Sequence, residues 1–225
     1  MIPLLTAGKM MERSRHQVSF VEAGAAATGD TNNVLVPVPA GISPGNFLLL
    51  TAHCEDSGGV GAQTIDTPAG WNLIANIGSE GFGFAAFWRK AAGTEGSTVD
   101  VTYSSSDNGG GGKMFRFNRG SGIEAAGSAF DAGEEGTIEA INVTTTQAMA
   151  LAVQVLCTHN AAAIGELSGE SGANYQKALT DFSTTGVGTI SLQVAEIPTP
   201  TAITGGTATA GASAGEGAVG FVILP

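Results

Sequence analysis

Apolar and polar residues alternate at every second position in several stretches of this chain, and no long stretch has a helical period. The alternation is clearest at residues 34–38, 99–103, 115–117 and 190–194. A period of two is typical of a β-strand that buries one of its faces. The pattern therefore predicts a strand at each of these four places.

Two further stretches are apolar, residues 47–50 throughout and residues 149–156 at every position except Gln154. Such runs are typical of strands that are buried on both faces. The second run contains residues that also favour helix. However, β-branched residues precede it at 144–146, and a turn-like segment, Cys157 to Asn160, ends it. We therefore predict two central strands.

Clusters of Gly, Asn, Asp, Ser and Pro separate these stretches, at residues 57–61, 107–112, 165–172 and 205–217. The chain has 34 glycines. Turn signals at this density, without a long helix, favour an all-β fold of sandwich type. The prediction is a jelly-roll-like β-sandwich.

The chain also repeats itself weakly. Residues 46–54 resemble residues 149–157, and each segment ends in a cysteine; residues 84–90 match 189–195, and residues 109–119 match 215–225. The three offsets are 103, 105 and 106 residues. A nearly constant offset predicts two related halves.

The halves could form two small sandwiches in tandem, or they could interleave in one sandwich. The joining segment, residues 120–136, has no Pro-rich spacer and contains Ile123 and Phe130. This favours one continuous body over residues 29–225, with halves at 29–120 and 121–225. Residues 1–28 are then an extended N-terminal arm.

The charge distribution restricts the partners of the chain. Twenty acids against nine bases give a net charge of −11, which disfavours binding to nucleic acid or to an anionic membrane surface. No apolar run is long enough for a transmembrane helix, and the N-terminus lacks the order of a secretory signal.

The first 20 residues are different, because they hold three bases and one acid. Their apolar and basic side chains suggest an arm that docks on a partner subunit, while a frayed terminus is the alternative. The candidate docking residues are Ile2, Leu4, Leu5, Lys9, Met10, Arg13 and Arg15.

Soft metal ligands are limited to His53, Cys54, Cys157 and His159. Since neighbouring strand residues point to opposite faces, His53 faces away from Cys54, whereas Cys157 and His159 share a face. Four ligands cannot converge without a bulge, and no zinc motif is present. We predict two buried thiols, with a Cys54–Cys157 disulfide left open, and no metal, cofactor or catalytic residue.

The exposed loops are the places where a partner would be contacted. Trp71 follows a turn and is a candidate platform for stacking on a sugar, whereas Trp88 lies inside an apolar run and is expected in the core. The candidate recognition residues in these loops are Asp56, Trp71, Asp107 and Asn108.

Three segments together resemble a known module. They are PAGISPGNFLL at residues 39–49, PAGWNLI at 68–74 and AFWRKA at 86–91, and the halves end in Phe117-Asn118-Arg119-Gly120 and in FVILP at 221–225. This combination resembles a β-sandwich module of tailed-bacteriophage virion proteins, over roughly residues 30–225.

The resemblance implies a structural or adhesive role in a tail fibre, a tail tip or a capsid decoration, without catalytic residues. It implies a virion protein that is assembled in the host cytoplasm, partners among other virion proteins, a homo-oligomer, and a host-surface glycan as a further partner. The expected function is a tail-associated adhesion or assembly module. The alternatives are a capsid decoration protein and a carbohydrate-binding or carbohydrate-active module.

Overall fold

The computed structural model describes residues 17–29, 32–56, 63–79, 81–104, 109–131, 136–159, 163–178, 181–184, 188–211 and 215–225. Within these ranges the regular structure consists of strands and contains no helix. The strands are β1 (Phe20–Ala23), β2 (Ala27–Gly29), β3 (Asn33–Pro37), β4 (Phe47–Glu55), β5 (Asn72–Ser79), β6 (Phe82–Lys90), β7 (Thr98–Thr102), β8 (Gly110–Phe117), β9 (Gly122–Asp131), β10 (Thr137–Glu139), β11 (Val143–Thr145), β12 (Ala150–His159), β13 (Gln176–Lys177), β14 (Phe182–Thr184), β15 (Gly188–Ile197), β16 (Thr201–Ile203), β17 (Thr207–Thr209) and β18 (Glu216–Leu224).

The strands form two large antiparallel sheets. The first has the order β1-β8-β4-β6-β5, with β2 also paired to β8. The second has the order β13-β15-β12-β18-β9, with β14 also paired to β15. Three small two-stranded sheets, β3-β7, β10-β17 and β11-β16, complete the fold. The predicted all-β sandwich is confirmed, and so are the strands predicted from the alternation.

The main core, which we call the interlayer, lies between the two large sheets. Both sheets contribute to it, with Phe84 and Phe117 from the first and Val153 and Phe221 from the second. Two outer apolar clusters lie on the opposite faces of the sheets, beneath the small strands. Each large sheet is therefore covered on both faces, which explains why β4 is buried along its whole length and β12 is buried at every residue but His159.

The two halves share one topology. In each, a central strand lies between two long strands, β4 between β6 and β8 and β12 between β15 and β18. In the first half His53 pairs with Phe84 and Gly111, and in the second Cys157 pairs with Ile190 and Gly217. His53 and Cys157 are thus equivalent positions.

The repeat read from the sequence is therefore wrong by one residue in two of its three segments. The structural offset is 104 residues between β4 and β12, and 106 between β6 and β15 and between β8 and β18. A slip of one residue exchanges the faces of a strand. Aligning Cys54 with Cys157 equated a residue of an outer cluster with a residue of the interlayer.

The predicted boundary of the arm at residue 28 is also wrong. Strands β1 and β2 pair with β8, so residues 20–29 belong to the first sheet. Both strands are short, and a bulge and Gly24 interrupt their alternation, which hid them in the sequence. The arm residues proposed for docking, Ile2, Leu4, Leu5, Lys9, Met10, Arg13 and Arg15, lie outside the described residues.

The sandwich has two distinct ends. At one, which we call the arm end, β4 and β12 begin at Phe47 and Ala150, and the chain enters at Gln17. At the other, the loop end, the same strands finish at Glu55 and His159, which contact each other.

Candidate functional site

The arm end holds the first described residues of the chain in place between the halves. The backbone N–H of Val18 donates to the carbonyl of Met149 at 3.2 Å, and the Gln17 side-chain amide donates to the carbonyl of Ala150 at 3.1 Å. Val18 is fully buried. The root of the arm is therefore built into the core.

Asn118 forms the other side of this clamp. Its side-chain amide donates to the Gln17 carbonyl at 3.0 Å, and its side-chain carbonyl accepts from the Ser19 N–H at 2.9 Å. Asn46, at the start of β4, donates from its side chain to the Asn118 carbonyl at 2.8 Å. Two asparagines from separate sequence motifs thus meet at the root of the arm.

Aromatic and basic side chains surround this clamp. The Trp88 ring stacks on Phe47 with centroids 5.3 Å apart, and Phe117 meets Phe47 edge-on at 5.9 Å. Arg116 forms an ion pair with Glu22 at 3.1 Å and donates to the Gly41 carbonyl at 2.9 Å. The bases of the body that lie at this end are Arg89, Lys90, Arg116 and Arg119.

The prediction for Trp71 is corrected here, whereas Trp88 packs against the core as expected. Trp71 is only 7% exposed and packs in the outer cluster of the first half, with the Arg89 guanidinium 5.7 Å from its ring centroid. Its faces are covered, so it does not offer a stacking platform to a sugar. Trp88 is half-buried at the end of the interlayer, because β6 emerges from the core there.

The loop end contains a contact between the halves that the sequence did not predict. Nε2 of His159 lies 2.8 Å from a carboxylate oxygen of Glu55, and both side chains are more than four-fifths buried. The Phe82 ring stacks on the His159 ring with centroids 5.2 Å apart. Glu55 and His159 are equivalent positions of the two halves, so this pair lies where an approximate two-fold axis between the sheets would pass.

His53 lies two residues before Glu55 on the same face of β4. Its ring is fully buried and lies near the rings of Phe82 and Phe182, at 6.5 and 5.8 Å between centroids. Burial lowers the pKa of His53 from 6.5 to about 4, because the charged imidazolium loses its hydration. The folded protein therefore holds His53 neutral near pH 7.

The two cysteines are buried and free, and they are not disulfide-bonded. Cys54 belongs to an outer cluster and Cys157 to the interlayer. Burial raises the pKa of Cys54 to about 12 and raises that of Cys157 further, so both remain thiols. As the alternation predicted, Cys157 shares a face with His159, while His53 faces away from Cys54.

The described residues show no cluster of metal ligands among these groups. Within the described ranges, no three side chains of His, Cys, Asp and Glu are placed to hold a metal ion. Cys157 shares a face with the Glu55–His159 pair, but its thiol is protonated. The arrangement is suited to joining the two halves.

Acidic side chains collect at the loop end, and these are Glu55, Asp56, Asp131 and Glu216. Asp56 is half-buried there, and its backbone N–H donates to the Gly81 carbonyl at 2.8 Å. The other two recognition candidates, Asp107 and Asn108, lie outside the described residues. Gly109 accepts a hydrogen bond from the Glu55 N–H, and β8 begins at the next residue, at this end.

Two cavities open on the surface of the described structure. The first, of about 310 Å³, lies between β9, β10 and β18 near the loop end, and its lining includes Asp131, Glu139 and Glu216. The second, of about 360 Å³, lies near the arm end, where Ile42 and Glu95 belong to its wall. The Glu95 carboxylate in this wall already accepts hydrogen bonds from the backbone N–H groups of Ala92 and Gly93.

Comparison with known proteins adds no relative. No family model, curated protein or solved structure matches the chain. Over the described residues, the structure also contains no helix that is long and apolar enough to span a membrane.

Proposed function

We propose that this protein is a non-enzymatic structural component of a tailed-bacteriophage particle, which acts as an assembly or adhesion module of the tail tip or fibre. The observation that carries the proposal is the clamp at the arm end. Asn46 and Asn118 belong to the motifs that resemble phage virion modules, and both hold the root of the arm. In this proposal, the motif residues hold the point at which the N-terminal segment joins the body.

The remaining motif residues have structural contacts as well. Trp71 and Arg89, from two separate motifs, pack against each other in the outer layer of the first half. Arg89 also forms an ion pair with Glu95 at 3.4 Å. Contacts of this kind support a structural role for the motif residues, because they hold separate segments of the chain together.

The polarity of the molecule suggests how the scaffold is used. Four bases of the body lie at the arm end, where the described chain begins at Gln17, and the acidic loop end lies opposite. In our proposal the arm end docks on another virion protein. The loop end, which includes Asp56, then faces the host surface and its glycans, and Asp107 and Asn108 remain candidates for the same contact.

Labelling of particles tests the proposal directly. Antibodies against the recombinant protein are applied to purified particles from the organism that encodes it, and gold labels are located by electron microscopy. We expect labels at the tail tip or fibre. Labels over the head would support the capsid-decoration alternative, and particles that lack the protein would overturn the virion assignment.

Binding assays separate the adhesive role from an enzymatic one. The purified full chain should sediment with host cells or with their surface polysaccharide without releasing reducing sugar. The matched variant Asp56→Asn alters the loop end, and Lys90→Gln alters the arm end. Binding that is weakened only by Asp56→Asn supports the assigned polarity, whereas release of reducing sugar by the chain would contradict the non-enzymatic role.

A further inference from the structure

The cavity between β9, β10 and β18 combines an apolar wall with carboxylates. Ile138, Ala129 and Ala218 line it beside Asp131, Glu139 and Glu216. Glu216 is 3% exposed, while Asp131 and Glu139 are exposed at the rim. A cavity of this chemistry favours a segment that carries both apolar side chains and cations.

Residues 1–16 of the same chain have the complementary chemistry. They contain Lys9, Arg13 and Arg15 against the single acid Glu12, whereas the rest of the chain is strongly acidic. They also contain apolar side chains of a size that the cavity could bury, and these are Ile2, Leu4, Leu5, Met10 and Met11.

The positions of the two features allow contact between different copies. The arm begins at the arm end, at Gln17, and the cavity lies at the loop end, beside Asp131 and Glu216. The ten residues of β9 separate these ends by roughly 30 Å along the strand. A second copy placed end to end brings its arm end, where its described chain begins at Gln17, next to the cavity of the first.

We propose that the N-terminal arm of one copy binds in the β9–β10–β18 cavity of a second copy, so that the chains associate head to tail. The inference rests on the proposed docking role of the arm and names its receptor. A head-to-tail contact uses two different surfaces, and it generates a ring or a linear stack depending on the rotation between copies.

Sedimentation velocity of the full chain, with two complementary variants, tests the inference. The arm variant is Lys9→Gln/Arg13→Gln/Arg15→Gln, and the cavity variant is Asp131→Asn/Glu139→Gln, which changes only exposed carboxylates. A control, Glu166→Gln/Glu196→Gln, removes two exposed acids elsewhere. Circular dichroism and thermal melting confirm that each variant is folded.

We expect the wild type and the control to form species larger than dimers as concentration rises. Each of the other variants alone should associate at least about tenfold more weakly, as should the wild type when salt is raised from about 0.05 M to about 0.5 M. An equimolar mixture of the two variants has one intact arm and one intact cavity, so it should form dimers and nothing larger.

Two results would overturn the inference. One is a wild type that remains monomeric at every concentration, including the case in which each arm binds its own cavity. The other is association that the cavity variant leaves unchanged. Both are distinct from failure of the proposed function, since a monomeric protein that is still found on particle tails would leave the virion role intact.

Discussion

The two halves of the sandwich have the same strand order but different side chains at equivalent positions. On the interlayer face, Phe115 in the first half corresponds to Phe221 in the second, and both are buried aromatics. Toward the loop end the equivalent residues differ in chemistry, because His53 and Glu55 in the first half correspond to Cys157 and His159 in the second. Apolar packing is thus retained along the interlayer, while the polar residues at its end differ between the halves and form a pair.

The comparison also separates what each half contributes to the two ends. The first half supplies both asparagines of the clamp, Asn46 and Asn118, and the second supplies the carbonyls of Met149 and Ala150. At the loop end each half supplies one member of the Glu55–His159 pair. Contacts at both ends therefore connect the halves, and the interlayer lies between these two sets of contacts.

The equivalent phenylalanines give the largest expected effect. Phe115→Ala and Phe221→Ala should each lower the free energy of unfolding by about 3–5 kcal/mol, because each leaves a cavity in the shared interlayer. Urea denaturation measures both losses. A loss below about 1 kcal/mol for one of the two would show that its half does not depend on the shared core.

The equivalent of His53 in the second half is Cys157, so a loss of stability through protonation at this position should come from the first half alone. The unfolded chain takes up a proton at His53 below pH 6.5, and the folded chain does so only near pH 4. Stability should therefore fall as pH drops through this window, by at most about 3 kcal/mol. His53→Gln should remove that part of the fall; an unchanged pH dependence in the variant would contradict the buried neutral imidazole.

The Glu55–His159 pair can be tested by a double-mutant cycle. We expect the coupling between Glu55→Gln and His159→Gln to be about 1–2 kcal/mol near neutral pH, since the contact is short and mostly shielded from water. Chemical denaturation of the wild type, both single variants and the double variant gives the coupling. Additive losses would mean that the pair does not join the halves.

The smallest effect concerns the turns that precede the central strands. Gly45 has φ of +86° before β4, and its equivalent Met149 has φ of +62° before β12. An added Cβ at Gly45 meets no atom within 4 Å, so Gly45→Ala should cost about 1 kcal/mol through the backbone alone. Met149→Gly should recover up to a similar amount, and equal thermal melting of wild type and both variants would contradict this account.

Much of the fold was predictable because alternation reports directly on burial. Strands β3, β7, β8 and β15, and the central strands β4 and β12, all follow from the pattern. The register of the repeat was not predictable, because the two cysteines that aligned the segments face different layers. Strands β1 and β2 were missed, since they are short and their pairing with β8 is a long-range contact that the sequence does not show.

The site was less accessible to sequence reasoning. The alternation placed Cys157 and His159 on one face, but it could not show that Glu55 of the other half faces His159 across the interlayer. That contact depends on which faces of two sheets meet. Glu55 and His159 each end a central strand, and this shared position is the signal from which their contact could have been predicted.

Differential scanning calorimetry of the full chain tests most directly whether the two halves act as one body around the interlayer. We predict a single transition whose calorimetric and van't Hoff enthalpies agree, and which moves as a whole to lower temperature in Phe115→Ala and in Phe221→Ala. Two transitions, each shifted only by the substitution in its own half, would contradict the account.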